Sequence, residues 1–323
     1  MTKNDLKIVF LGTPDFAVES LRALVEGGYQ VVGVVTMPDK PVGRHGSLLQ
    51  PSAVKHYALA NGLPLLQPEK LKDETFLEAL SAWHPDLQIV VAFRMLPEAV
   101  WNMPRFGTFN LHASLLPQYR GAAPIHWAVI NGEKETGVTT FFITHGMDTG
   151  RIVLQQKIPI ADTDDAGIVH DALMTVGAQL VKDTVDLLIK HEGNIITIPQ
   201  EALFATVDEL RPAPKIFTDT CRINWRQPVK RIYDFIRGLS PYPAAWTVLE
   251  VIAGGLPLKI FQSEMLSESH HFIPGAIRTD GKKYLDIAAE DGFIRVLSLQ
   301  PSGKKRMTTK DFLNGFVKAT IFS

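Results

Sequence analysis

The chain has 323 residues, 46% hydrophobic and 21% charged, with a formal net charge of −1 at pH 7 and one cysteine. That length predicts two domains of ordinary globular composition, and the lone Cys221, in "DTCRINW" with no CxxC or nearby His, excludes an intramolecular disulfide and reads as a buried structural thiol. No apolar run reaches the roughly 18–20 residues of a membrane span, and "MTKNDLKIVFLGT" is interrupted by Gly12 and Pro14 too soon for a signal peptide, so a cytoplasmic location is expected.

In chain order, "LKIVFLG" and "QVVGVVT" are short β-branched runs, and "PDFAVESLRALVEGG" between them has helical spacing. This βαβ opening predicts a parallel sheet covered by helices. The pattern continues through a helical "PSAVKHYALANG", the strand "LPLLQP", a helical "DETFLEALSAWHP" and the buried strand "LQIVVAF". A short helix near Glu98–Asn102 then precedes the strand "FGTFNLHA". After "APIHWAVING", "GVTTFFIT" and "GRIVLQQKIPI" pair as strands, and "DAGIVHDALMTVGAQLVKDTVDLLIKHEG" is a long amphipathic helix. Beyond Gly193 the aperiodic, Pro-rich "NIITIPQEALFATVDELRPAPKI" reads as an extended linker.

The last part has one helix, "QPVKRIYDFIRGL", then short strands "AWTVLEVI", "LPLKIFQSEM", "GAIRTD", "YLDIAAE" and "GFIRVLSLQ" with Gly and Asp-Gly turns, which predict a small antiparallel, OB-like β-barrel. The expected organisation is therefore a doubly wound, mostly parallel α/β domain over 1–193, a linker over 194–206 and a β-barrel over 207–323. Residues 1–204 carry 16 basic against 22 acidic side chains, residues 205–323 carry 17 against 12. That asymmetry fits a nucleic-acid contact by the second half as well as it fits a chance surface imbalance.

"LGTPDFA" lacks the second and third glycines of GxGxxG, which argues against a nicotinamide cofactor. An open parallel sheet still binds its ligand beyond the carboxyl ends of its strands. Asn110 and His112 lie at such an end and, two apart on a strand, face the same side. The pair alone fits two residues bonding their own loop. Asp148, in the Gly-bounded turn "THGMDTG", shifts the balance: amide, imidazole and carboxylate supply an oxyanion donor, a proton carrier and an orienting charge. No Ser or Cys nucleophile stands with them, because Ser114 precedes Leu115, Leu116 and Pro117 and fits a turn. The chemistry implied is direct acyl transfer between two bound substrates.

The stretches "GTPDFA", "PDKPVGR", "NLHASLLPQYRGAAPI", "GVTTFF", "MDTG", "RINW", "PYPAAW" and "LQPSGKKRM" stand in the order found in the methionyl-tRNA formyltransferase family, and the resemblance covers nearly the whole chain. Asn110 to Gly150 resembles the 10-formyltetrahydrofolate-dependent transferases as a group, including those acting on glycinamide ribonucleotide and UDP-amino-arabinose. "PDKPVGR", "RINW", "PYPAAW" and "GKKRM" single out the tRNA member.

The resemblance implies a Rossmann-like formyltransferase domain and transfer of a formyl group from 10-formyltetrahydrofolate to the α-amine of initiator methionyl-tRNA, by a monomer needing no metal. It matches Asn110, His112 and Asp148 to the catalytic set. Folate is expected at Phe93, Arg94, Met95 and Leu96, where Phe93 and Arg94 depart from the family's Tyr-Gly, and at Ser114, Leu115, Leu116 and Pro117. Arg94 is expected to point outward. The loop Met37–Val54, with about twelve structureless residues, is assigned to the acceptor stem through Lys40 and Arg44, with His45, Gly46 and Ser47 departing from the usual lysines. Further tRNA contacts are expected from Lys230, Arg231 and Arg237 on the helix and Lys304, Lys305 and Arg306 in the "SGKKRM" turn. Tyr242 and Trp246 are expected to be apolar fillers, His126 a packing or surface residue, and His270 and His271 to bind no metal. The rival readings are a sugar or nucleotide amine as acceptor, a catalytically silent tRNA-binding protein, and a dehydrogenase.

Overall fold

In the computed structural model, which describes residues 1–42, 48–250 and 255–317, the opening β-branched run forms β1 (Ile8–Gly12), every residue of it buried. It leads through α1 (Asp15–Glu26) to β2 (Val31–Val35). Next come β3 (Lys40–Val42), β4 (Leu48–Gln50), α2 (Ala53–Ala60), β5 (Leu65–Leu66), α3 (Glu74–Ser81), β6 (Leu87–Val91), α4 (Glu98–Trp101) and β7 (Thr108–His112). The helices start where the caps are: Ser52 Oγ accepts from Lys55 N at 3.0 Å, and Asp73 Oδ1 from Thr75 N at 3.2 Å. Gly33 is required by packing, since a Cβ there would lie 2.3 Å from the Trp83 ring.

After α5 (Pro124–Ile130), β8 (Glu135–Phe142) and β9 (Ile152–Pro159) complete a seven-stranded sheet of order β5-β2-β1-β6-β7-β8-β9, followed by α6 (Ala166–Lys190). The strands from β5 to β7 are parallel and β7–β8 is antiparallel. The chain winds from β1 out to β5, then recrosses β1 to reach β6 and β7. This reversal opens a crevice at the carboxyl ends of the parallel strands, where Phe93–Leu96 and Asn110–His112 lie. A Cβ on Gly177 would sit 2.8 Å from the Leu111 side chain, so α6 lies close against β7.

Two segments differ from expectation. The 37–54 stretch is not structureless at its base: β3 and β4 pair through Lys40↔Gln50, Pro41↔Leu49 and Val42↔Leu48. Asp39 pins it, meeting Lys55 Nζ at 2.6 Å and Gln67 Nε2 at 2.8 Å, bonds that hold its carboxyl below the usual range, with Lys55 the larger cause. Arg44, His45, Gly46 and Ser47 lie outside the described residues. The 194–206 stretch is no free linker: Ile198 exchanges both backbone hydrogen bonds with Ile152 (2.8 and 2.9 Å), and Gln200 is fully buried. A pairing one residue wide leaves no periodicity to read.

The chain forms two compact units, Met1–Gly121 with Gly137–Ile158 and His170–Pro212, and Ala122–Thr136 with Pro159–Val169 and Ala213–Ser323. Contiguous boundaries at 193 and 207 thus leave out two segments of the second unit. The reason is packing: Ile130 of α5 belongs to the second unit's core. That unit holds α7 (Val229–Gly238) and the strands β10 (Ala245–Leu249), β11 (Leu256–Leu266), β12 (Ile277–Thr279), β13 (Leu285–Ala288), β14 (Phe293–Pro301) and β15 (Met307–Thr308), then α8 (Thr309–Phe312). A Cβ on Gly238, in α7, would lie 2.5 Å from the Ile130 side chain. The antiparallel sheet has the open order β10-β11-β14-β13-β12, with β15 on β14, and curls as a half-barrel. Val229, Ile232 and Ile236 give α7 the apolar stripe buried in this core.

Asp286, fully buried on β13, meets Arg295 Nε at 2.8 Å and Arg278 Nη2 at 3.0 Å, so its charge is desolvated but doubly paired. Arg278 in turn stacks 3.8 Å from the Phe293 ring centroid. Asp286→Ala leaves two arginines facing a void and is expected to destabilise the second unit by roughly 3–5 kcal/mol. Denaturant unfolding followed by the tryptophans checks this, and a change within experimental error would refute it.

Candidate active site

The site grows from β7. Asn110 and His112 share one face of that strand and close its carboxyl end. His112 is buried, and its Nε2 lies 2.9 Å from the Tyr119 carbonyl. A carbonyl only accepts, so Nε2 carries the proton in this tautomer and Nδ1 is left for chemistry. Asn110 Oδ1 is buried with no hydrogen-bond partner among the described residues. Such an orphan costs about 1–3 kcal/mol; Thr13, Ser20, Gln30, Gln88 and Arg94 also carry one, and that of Asn110 lies at the strand end beside His112.

The loop after β7 folds back on itself. Ser114 Oγ donates to the Gln118 carbonyl at 2.6 Å, while the Ser114 carbonyl accepts from Thr139 Oγ1 at 2.6 Å. Ser114 is therefore a turn residue, as its sequence context suggests. Tyr119 takes a φ of 60°, and its N–H donates to the Arg211 carbonyl at 2.6 Å.

Asp148, in the turn between β8 and β9, also has a left-handed backbone, with φ 54°. Its Oδ2 accepts from Gly121 N at 3.0 Å and lies 3.9 Å from His112 Nδ1. That spacing is too long for a hydrogen bond but close enough for charge: two unit charges about 4 Å apart interact by about 4 kcal/mol at an effective dielectric of 20. Amide, imidazole and carboxylate are thus brought together from two distant stretches of sequence.

Sequence reasoning missed the brace behind them. Gln200 Nε2 donates to the carbonyls of Asp148 and Gly150, both at 2.8 Å, and its Oε1 accepts from Arg120 Nε at 3.0 Å and Nη2 at 2.6 Å. The signal for Gln200 was slight, a glutamine in an aperiodic segment. Arg120 adjoins Tyr119 and Gly121, which already serve His112 and Asp148.

Of the expected folate residues, Phe93 packs on the core cluster of β1 and β6, Leu96 is buried and Met95 is 68% exposed. The Arg94 side chain is half-buried, and its guanidinium donates to the carbonyls of Glu69, at 2.7 Å, and Pro68. Desolvation lowers its pKa from the usual arginine value. Leu116 and Pro117 are buried and Leu115 is half-buried.

Among the expected tRNA residues, Lys40, Arg231, Lys304, Lys305 and Arg306 are exposed. Arg306 also donates to Ser298 Oγ at 2.8 Å and stacks 4.5 Å from the Phe261 ring centroid. Arg237 is a correction: it is 5% exposed, bonds Asp234 at 2.8 Å and donates to the Asp164 carbonyl at 2.7 Å, so it braces the fold and is not free for a phosphate. Lys230 shares Asp234 with it at 2.6 Å. Tyr242 is a second correction, 78% exposed and no filler, whereas Trp246 packs partly buried on the core and donates to the Thr218 carbonyl. Cys221 is buried, its Sγ donates to the Phe217 carbonyl and its pKa is raised by burial. His126 bonds the Gly238 carbonyl, and His270 the Gly292 carbonyl.

The family model described as formyl transferase matches residues 6–185, and the formyl transferase C-terminal domain matches 215–317. The chain is 69% identical to the methionyl-tRNA formyltransferase of Parabacteroides distasonis and 65% to that of Bacteroides fragilis, in each case covering 98% of this chain and 97% of the relative. The same enzyme of Porphyromonas gingivalis is 52% identical over the same shares. Among solved structures, the sugar 3N-formyl transferase WlaRD superposes with a TM-score of 0.65 at 20% identity, covering 93% of this chain and 99% of that one. HypX from Aquifex aeolicus gives 0.64 at 17% over 98% of this chain, which spans about half of HypX, 48%. These structural likenesses show the fold. The two family models and 69% identity over nearly the full length together establish that the chain belongs to the methionyl-tRNA formyltransferase family.

Proposed function

We propose that the chain transfers the formyl group of 10-formyltetrahydrofolate to the α-amine of initiator methionyl-tRNA, in the cytoplasm, with Asn110, His112 and Asp148 as the reacting constellation. The observation that carries this reading is the Asn110 side chain, its Oδ1 unpartnered among the described residues, on the same strand face as a histidine whose Nδ1 faces a carboxylate at 3.9 Å.

The amine lone pair attacks the formyl carbon, and the carbonyl electrons move onto oxygen. The Asn110 amide N–H stabilises that oxyanion, a contribution of typically about 10²–10³ in rate. The proton lost by the amine passes to His112 Nδ1, whose imidazolium is stabilised by the Asp148 charge. Collapse of the intermediate breaks the bond to the folate nitrogen, which takes the proton back from Nδ1. Tetrahydrofolate and the formylated aminoacyl-tRNA leave, and His112 returns to its neutral tautomer.

The folate is taken by the strand end Phe93–Leu96 and by Ser114–Pro117, where Arg94 contributes through its main chain since its side chain is committed to Pro68 and Glu69. The acceptor arm is gripped through phosphates by Lys40, Arg44, Arg231, Lys304, Lys305 and Arg306, with Lys230 in part engaged by Asp234. A sugar amine as acceptor has no use for that basic set.

Three outcomes test these roles. Asn110→Ala and His112→Ala are each expected to lower kcat by at least about 10²-fold with little change in folate affinity, since both act on charge that develops in the transition state; steady-state kinetics with a folate titration measure it, and lost binding with normal turnover would refute the roles. Asp148→Asn keeps the shape and removes the charge, and is expected to cost roughly 10²–10⁴ in kcat; full activity would make Asp148 a turn residue only. Replacing Lys304 and Lys305 by Ala is expected to weaken tRNA binding and to flatten the slope of log K against log salt by about 0.9 for each duplex phosphate no longer neutralised, with turnover at saturation retained. An unchanged slope in a fluorescence titration would show that turn to be plain solvated surface.

A further inference from the structure

Asp148 has few anchors of its own. Its neighbours His145 and Met147 are 77% and 59% exposed, and its backbone is in the left-handed region. What fixes it is Gly121 N on the carboxylate and Gln200 on the main chain. Gln200 is fully buried, and all its hydrogen-bonding capacity is used: two donors on the Asp148 and Gly150 carbonyls, two lone pairs on Arg120. Turning the amide over would set an oxygen against two carbonyls and an NH2 against a guanidinium, so the network holds a single orientation. Arg120 locks that amide from the segment that also supplies Tyr119 O to His112 and Gly121 N to Asp148.

Resting on the catalytic reading above, we infer that Gln200, oriented by Arg120, is a positioning residue that sets the Asp148 carboxylate relative to His112 Nδ1. It touches no substrate. It acts through the backbone of the loop, where a misplacement of about 1 Å costs up to 10²-fold in rate.

Gln200→Glu tests this, because it keeps the volume and the Arg120 partner but turns two donors into an oxygen facing two carbonyls. Single-turnover formyl transfer is measured for wild type, Gln200→Glu, Asp148→Asn and the double variant. The expected result is a fall of about 10–100-fold in the Gln200→Glu rate, with KM for both substrates held, and no further fall when the substitution is added to Asp148→Asn. Equal factors in both backgrounds, or an undiminished Gln200→Glu rate, would overturn the positioning role while Asp148→Asn alone still reports loss. An Asp148→Asn enzyme as fast as wild type would overturn the catalytic reading with it. Should Gln200→Glu fail to fold, Arg120→Lys, which keeps the charge and loses the paired donors, enters the same cycle under the same criteria.

Discussion

The hydrogen bond between His112 Nε2 and the Tyr119 carbonyl, 2.9 Å between buried groups, is the constraint around which the candidate site is arranged. It consumes one imidazole nitrogen and leaves the other, Nδ1, for the proton transfer proposed for His112. It also dictates the loop that follows. For the carbonyl to turn back on the strand, Tyr119 adopts a φ of 60°, a conformation costing a bulky residue of order 1–3 kcal/mol. The cost is met locally, by burial of the ring and by the N–H bond to Arg211. Tyr119, Arg120 and Gly121 then serve, in succession, the imidazole, the Gln200 amide and the Asp148 carboxylate.

Around this bond the fold divides its polar groups by purpose. Asp286 and Asp234 are buried carboxylates, each with two basic partners, and they hold structure. Asn110, by contrast, is left with an unpartnered oxygen at the strand end. Thr13, Ser20, Gln30, Gln88 and Arg94 each carry a buried unpartnered polar atom as well, and Asn110 differs from them in standing at the strand end two residues before His112. The contrast separates Arg237 from its neighbour Arg231: both stand on α7, but one is spent on Asp234 and the other reaches solvent.

What was legible in the sequence follows from the range of the interactions. β-Branched runs and apolar stripes announced the parallel sheet and α7 because burial imposes a period on them. Asn110 and His112 were visible because a two-residue spacing on a strand fixes a common face. Gln200 was not, because its partners lie about fifty and eighty positions away and impose no pattern on its neighbours. The β3–β4 pairing escaped for a similar reason, being three residues long and containing Pro41. The fate of Arg94 and Arg237 was hidden too, since charge alone does not tell whether a guanidinium meets solvent, a carboxylate or a carbonyl. The assignment of Ala122–Thr136 to the second unit depends on the apposition of Ile130 and Gly238, more than a hundred residues apart.

The central claim concerns the acceptor, and one competition assay addresses it. With 10-formyltetrahydrofolate as donor, the enzyme is offered methionyl-tRNA, free methionine and a nucleotide-linked amino sugar together, and the formylated products are resolved by mass. Formyl is expected on methionyl-tRNA, with the two small amines left essentially untouched. Equal use of free methionine, or preference for the amino sugar, would contradict the claim, because the exposed cations Arg231, Lys304, Lys305 and Arg306 would then have no part in choosing the substrate.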